Sequence, residues 1–272
     1  MENKTIISQE DLKILTDSKN KLENVGLIMQ GLNFVGDKIE KAVDLIPQKT
    51  QEWIAKKTNS ILMRIISANL KTMSKGKVKV VPLNKTYKSV VAASGFGFGF
   101  FGAAGFAFDL ALSTKFMMRS ILDIARSKGE DLTDIETQLS CIEVFALGGK
   151  SKNDDGMNTS YYATRMALSS SIKAASKYVA ETGATKIIEK MATGTPLMQL
   201  IAKIASRYEA AAIEKFAAEG FPIVGAVGGA SLNLIFIHHF QKMAEAHFTV
   251  RSLERKYGAE YIQEKYNEIK VN

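Results

Sequence analysis

Residues 89–108 read Ser89-Val-Val-Ala-Ala-Ser-Gly95-Phe-Gly97-Phe-Gly99-Phe-Phe-Gly102-Ala-Ala-Gly105-Phe-Ala-Phe108, twenty residues without a charge. As a helix the stretch is long enough to cross about 30 Å of hydrocarbon. It is an odd helix, because in water each glycine costs about 1 kcal/mol relative to alanine, and residues 95–105 hold five of them. Gly95 and Gly99 form a G-x-x-x-G pair, which Gly102 and Gly105 extend. Such a surface lets two helices approach closely, in a bilayer or in a tight soluble core.

A second segment has the same character: Gly220-Phe-Pro222-Ile-Val-Gly225-Ala-Val-Gly228-Gly229-Ala-Ser-Leu-Asn233-Leu-Ile-Phe-Ile237. Gly102-Ala-Ala-Gly105 matches Gly225-Ala-Val-Gly228. Each is followed by a polar group, Asp109 or Asn233, and by a helix that closes on an arginine and a glycine: Arg126 and Gly129, or Arg255 and Gly258. The pattern is a weak internal repeat. It predicts two pseudo-equivalent helices packed through their glycines at the centre of the fold.

Charge singles out the neighbourhood of the first segment. Between Trp53 and Phe108 there is no acidic residue, and the nine basic ones (Lys56, Lys57, Arg64, Lys71, Lys75, Lys77, Lys79, Lys85 and Lys88) account for the net charge of +8. Cations beside an apolar segment are what an anionic membrane surface attracts, and Lys71, Lys75, Lys77, Lys79, Lys85 and Lys88 are the candidates for that contact. A solvated basic face is the structural alternative. Nucleic acid is not the expected partner, because the basic stretch carries only Trp53 and Tyr87 and no nucleic-acid module.

The rest of the chain reads as helix. Apolar positions from Leu12 to Ile46 recur at helical spacing, with Ser8 and Asp11 resembling a cap. Further helices are expected over about 51–73, from 109 to about 128, over 131–147, 161–177 and 178–194, from 197 to about 218, and from the second glycine-rich segment to about 257. Residues 77–82 alternate briefly and end at Pro82, as a short strand or an extended linker. Residues 148–156 are a loop by composition. The expected fold is all-α, a bundle of about eight to ten helices, with residues 1–50 as an N-terminal helical extension and 51–272 as the main domain. One cysteine, Cys141, excludes an internal disulfide framework, and the start of the chain has no apolar h-region of a secretory signal.

Candidate chemistry concentrates on the last long helix. Asn233, Phe240, His247 and Glu254 are spaced by seven, and Arg251 follows His247 by four, so all fall on one face. Asp109, on the related helix, is placed to meet Asn233, His247 or Arg251. Two readings stay open. One is a proton or catalytic site at Asp109, His247, Arg251 and Glu254, as in a hydrolase-like soluble enzyme. The other is a structural network that fixes helix register. His239, Met243 and His247 share a face but lack a carboxylate at ligand spacing, so no metal site is expected. Gly148-Gly149-Lys150-Ser151 is no phosphate loop, because the position that needs glycine is Val144. No cofactor motif is present. Cys141 sits among apolar residues and reads as a core thiol.

The run from Gly220 to Asn233, continued by His239-Phe240, His247-Phe248, Arg251, Leu253-Glu254-Arg255 and Tyr257-Gly258, resembles the C-terminal signature of the bacterial EcsC family. The segments 102–109, 143–149 and Tyr161-Tyr162-Ala163-x-Arg165 fit the same family. The resemblance spans roughly residues 50–260. It implies an EcsC-like helical domain and a bacterial, membrane-adjacent setting, and it carries over no catalytic residues. The expectation is a cytoplasmic protein, peripheral or inserted at the inner face of the cell membrane, that binds lipid or a membrane protein or inserts its glycine-rich helix pair. A soluble scaffold and a homo-oligomer are also compatible with the sequence.

Overall fold

The computed structural model describes residues 6–23, 41–73, 102–147, 161–183, 194–219 and 229–270, and every regular element among them is an α-helix. In chain order, besides the helical residues 41–44, these are α1 (Gln9–Glu23), α2 (Gln48–Met73), α3 (Gly102–Ser127), α4 (Ile135–Leu147), α5 (Tyr161–Thr182), α6 (Pro196–Glu219), α7 (Gly229–Tyr257) and α8 (Ala259–Glu268). None of the described helices is long and apolar enough to cross a membrane. The 77–82 stretch, the 148–156 loop, Gly95, Gly99, Gly225 and Gly228, Lys75, Lys77, Lys79, Lys85 and Lys88, and the side chain of Lys71 lie outside the described residues. Gly102 and Gly229 open α3 and α7, and Gly105 is buried in the first turn of α3.

Local chemistry sets the helix ends. Pro47 precedes α2, and Pro196 takes the first position of α6, where its missing N–H costs nothing; the Thr195 hydroxyl accepts from the Met198 amide at 3.3 Å. The helix expected from residue 131 starts later, because Asp131 folds into a turn, accepting from the Thr133 amide and hydroxyl, and Asp134 then caps α4 through the Thr137 amide at 2.7 Å. Gly129, Gly183 and Gly258 follow the last turns of α3, α5 and α7 with φ of 84°, 79° and 95°, the left-handed conformation that stops a helix. Residues 161–182 form one continuous helix rather than two. After Gly258 the chain resumes as α8.

Helix α7 is the hub. At 29 residues it runs about 43 Å, and α1, α3, α4, α6 and α8 all pack on it. Beside it, α4 is buried on every side from Thr137 to Leu147, which makes it the inner helix of the bundle. Phe145 on α4, Tyr208 on α6, and Phe236 and Phe240 on α7 interlock with ring centroids 4.9–6.1 Å apart and join these elements into one core.

Three cross-links fix the relation of α3 to α7. Asn233 Nδ2 donates to Asp109 Oδ1 at 2.7 Å, Gln241 Nε2 to Ser120 Oγ at 2.7 Å, and Arg251 to the Glu130 carboxylate just beyond α3. Along the chain these partners are 124, 121 and 121 residues apart. A near-constant offset means that the two helices run parallel and almost in register. A similar offset, 123, separates Gly102 from Gly225 and Gly105 from Gly228 in sequence, but Gly225 and Gly228 lie outside the described residues, and the cross-links between the two helices are polar side chains, not glycines. Both helices therefore begin at one end of the bundle. Helix α6 runs the other way, its last turns meeting the first turns of α3 at Lys215 and Asp109.

Candidate functional site

Two buried polar clusters lie along α7. The first sits where α3 and α7 begin. Lys215 is fully buried, with its ammonium 5.5 Å from the ring centres of both Phe106 and Phe236. Its Nζ donates to Asp109 Oδ2 and lies 2.9 Å from Glu219 Oε1, one turn on along α6. Burial alone would strip the proton from this lysine, but Glu219 and Asp109 outweigh it and raise its pKa. Burial also pushes the Glu219 carboxyl up, against the pull of Lys215. Asn233 completes the cluster by holding the second oxygen of Asp109.

The second cluster lies further along α7, where α4, α5 and the end of α3 converge. Arg165 on α5 grips Glu254 with two N–H groups at 2.6 and 3.1 Å, and the Tyr162 hydroxyl donates to the same carboxylate at 2.8 Å. On the other side Arg251 makes a fork to Glu130, both contacts at 2.9 Å, while Arg255 bonds Glu130 and caps the Lys128 carbonyl at 2.6 Å. Burial raises the Glu130 carboxyl, but Arg251 and then Arg255 outweigh it and hold its pKa below the usual range. Between the two ion-pair groups lies His247, fully buried, its Nδ1 3.0 Å from the Tyr161 hydroxyl. Among the described residues its Nε2 has no hydrogen-bond partner, and neither has Oε1 of Glu143, which is buried on α4. Burial drives both groups toward neutrality. It lowers the His247 pKa well below its ordinary value, with Arg165 and Arg251 adding to the effect. It raises Glu143 to about 7 against the pull of the same two arginines.

The sequence-predicted site is thus divided. His247, Arg251 and Glu254 join one cluster. Asp109 joins the other and meets Asn233; along α7, Asn233 and His247 are about 21 Å apart. The seven-residue stripe does face inward: Asn233, Phe240 and His247 are buried and Glu254 nearly so. Lys215, Glu219, Glu130, Glu143, Arg165 and Tyr161 are site residues that the stripe alone does not reveal. His239 is buried edge-on against Phe240. Among the described residues no group of three or more histidine, cysteine or acidic side chains forms a metal cradle. Cys141 is buried and burial pushes its thiol far up, which removes it as a nucleophile at neutral pH.

The sequence profile of the EcsC protein family matches residues 29–253, most of the chain. This chain belongs to the EcsC family. No curated protein and no solved structure matches it. In this EcsC protein two of the three short family-like segments contribute to the second cluster: 143–149 supplies Glu143 and 161–165 supplies Tyr161, Tyr162 and Arg165. What the cluster can do chemically is bounded by its composition. It can hold charge in closed pairs and exchange a proton at Glu143 or His247. Its arginines are already occupied by carboxylates, so none is available to clamp an anionic substrate.

Proposed function

We propose that this EcsC-family protein is a membrane-associated helical protein, acting at the cytoplasmic face of the cell membrane, that binds lipid or a membrane-protein partner or inserts its glycine-rich segments. The observation that carries the reading is the parallel pairing of α3 and α7. The uncharged stretches 89–101 and 220–228 both lead into helices that start at the same end of the bundle. The acid-free basic stretch leads into that end as well. Two apolar, glycine-rich stretches that lead into one pole suit a protein that meets a lipid surface pole-first.

Flotation with neutral and anionic liposomes at low and high salt, followed by carbonate extraction, tests it. Carbonate-resistant association supports insertion of the glycine-rich segments. Salt-sensitive association with anionic liposomes alone supports peripheral docking. Absence of association under every condition overturns the reading.

One observation favours a second reading, a soluble hydrolase-like enzyme. Among the described residues Nε2 of His247 and Oε1 of Glu143 have no hydrogen-bond partner, and both lie in one buried cluster, as an acid–base pair would. Such a site would centre on His247, Glu143 and Tyr161 and leave Asp109 in a structural role. His247→Ala separates the two readings: a register role costs stability, whereas a catalytic role leaves a stable, inactive fold.

A further inference from the structure

The outer surface of the α3–α7 pair is graded. On α3 the solvent-facing positions in order are Ala104, Phe108, Lys115 and Arg119, and Phe108 is 53% exposed despite its size. On α7 the corresponding side carries Leu234, 37% exposed, then the exposed His238 and the half-buried Lys242. Phe108 and Leu234 each adjoin a partner of the Asp109–Asn233 bond, so they stand at the same level. Parallel helices turn their residues in the same sense. The exposed stripe of α3 lies on one side of its Asp109–Ser120 edge, and that of α7 on the opposite side of its Asn233–Gln241 edge. Facing each other, the two stripes open onto a single surface.

That surface has an apolar tip followed by a cationic band. Lys115 and Arg119 lie about 10 and 16 Å beyond Phe108, and Lys242 about 12 Å beyond Leu234. Among the described residues none of the three forms an ion pair, unlike the closed pairs inside the bundle. No acidic side chain faces out on either helix before Asp123 and Glu245; Asp109, the one acid nearer the tip, is buried.

We propose that this graded face docks on an anionic phospholipid surface, with Phe108 and Leu234 entering the acyl boundary and Lys115, Arg119 and Lys242 engaging headgroup phosphates. The spacing fits an interfacial layer, since long cationic side chains reach several ångströms back toward the tip. The proposal rests on the membrane reading above and commits it to a contact made by folded helix surface. That contact is distinct from the Lys71–Lys88 stretch.

The test is a titration of the full chain with phosphatidylcholine vesicles, with and without phosphatidylglycerol, for wild type, for K115Q/R119Q/K242Q and for K75Q/K77Q/K79Q, each checked for unchanged thermal unfolding. Losing one interfacial cation weakens binding about fivefold, so the first triple variant is expected to lose about a hundredfold on the anionic vesicles and the second much less. A tryptophan moved to the tip, F108W in a W53F background, is expected to shift its emission to the blue when anionic vesicles are added. Equal binding by wild type and K115Q/R119Q/K242Q, or an unshifted emission from the bound F108W variant, overturns the proposed face and leaves the membrane reading intact. A wild-type chain that binds neither vesicle overturns both.

Discussion

An ammonium group among phenylalanine rings is costly, and Lys215 persists there only because Asp109, Glu219 and, through Asp109, Asn233 answer it. Removing one member of such a set leaves an uncompensated buried charge, which costs about 3–5 kcal/mol. Lys215→Ala is therefore expected to lower the urea midpoint by that equivalent, and adding Asp109→Asn to Lys215→Met is expected to recover most of the loss. A double variant no better than Lys215→Ala would mean that packing, not charge, sets the cost. Glu143 makes a different prediction. Its folded pKa, about 7, lies above the 4.5 of an unperturbed glutamate. The folded state therefore favours its neutral form, and the stability it contributes is fully present below pH 4.5 and lost as pH rises to 7. Converted at 1.36 kcal/mol per pKa unit, that loss is about 3 kcal/mol. Glu143→Gln removes the dependence, so its advantage over wild type in urea unfolding should be small at pH 4.5 and reach its plateau above 7. The same difference at both pH values would contradict the neutral burial of Glu143. His247 acts in the opposite direction, because its lowered pKa makes the fold lose stability as pH falls below 6.5; His247→Gln should flatten that acid limb.

At the scale of the helix, the junction between α3 and α7 shows what sequence reasoning can and cannot reach. The helices themselves were legible, since apolar spacing marks their buried faces and Gly129 and Gly258 mark their ends. The inward stripe of α7 was legible too, because its members lie on one helix at a fixed interval. Its partners were not. Glu130 follows α3 in a turn, Arg165 opens α5, and Lys215 sits in an ordinary amphipathic helix where a lysine reads as solvated; each meets its partner across about 90 to 120 residues. No local pattern encodes such a meeting. Helix α4 shows the same limit: burial on all sides depends on what surrounds it, not on its own periodicity. The junction predicts an order of effects. Glu130 receives both Arg251 and Arg255, and Arg251 is the less exposed of the two, at 23% against 44%. Glu130→Ala, which leaves two cations unanswered, is expected to cost the most, Arg251→Ala less, and Arg255→Ala least, within about 3–5 kcal/mol for the first. Thermal unfolding of the three variants checks the order, and Arg255→Ala as the most damaging would show that its cap on the Lys128 carbonyl matters more than the ion pair.

Across the whole molecule, the two elements outside the family match, α1 and α8, are tied to each other and to the second cluster. Lys19 on α1 donates to the Tyr266 and Ile269 carbonyls at 2.6 and 2.8 Å, capping the last turn of α8. Glu23 accepts from the Tyr266 hydroxyl at 2.9 Å and from the amide of Tyr161 at 3.3 Å, the residue whose hydroxyl meets His247. Asp11 holds Lys256 and Tyr257 at the end of α7, and Leu15 and Leu22 are buried against the core. A segment that reads as an N-terminal extension thus contributes to the same core as the family-matched helices. Burial of two leucines is worth about 3–6 kcal/mol, a large part of the stability of an ordinary domain. Deleting residues 1–23 is accordingly expected to lower the melting temperature of the whole chain by about 10 °C or more, in one transition, with the environment of Tyr161 and Tyr266 altered in near-ultraviolet dichroism. An unchanged melting temperature would make α1 an independent appendage. A lowered one would mean that in this protein the EcsC core is completed by α1, a helix from outside the family match, whose Glu23 reaches the amide of Tyr161 beside His247.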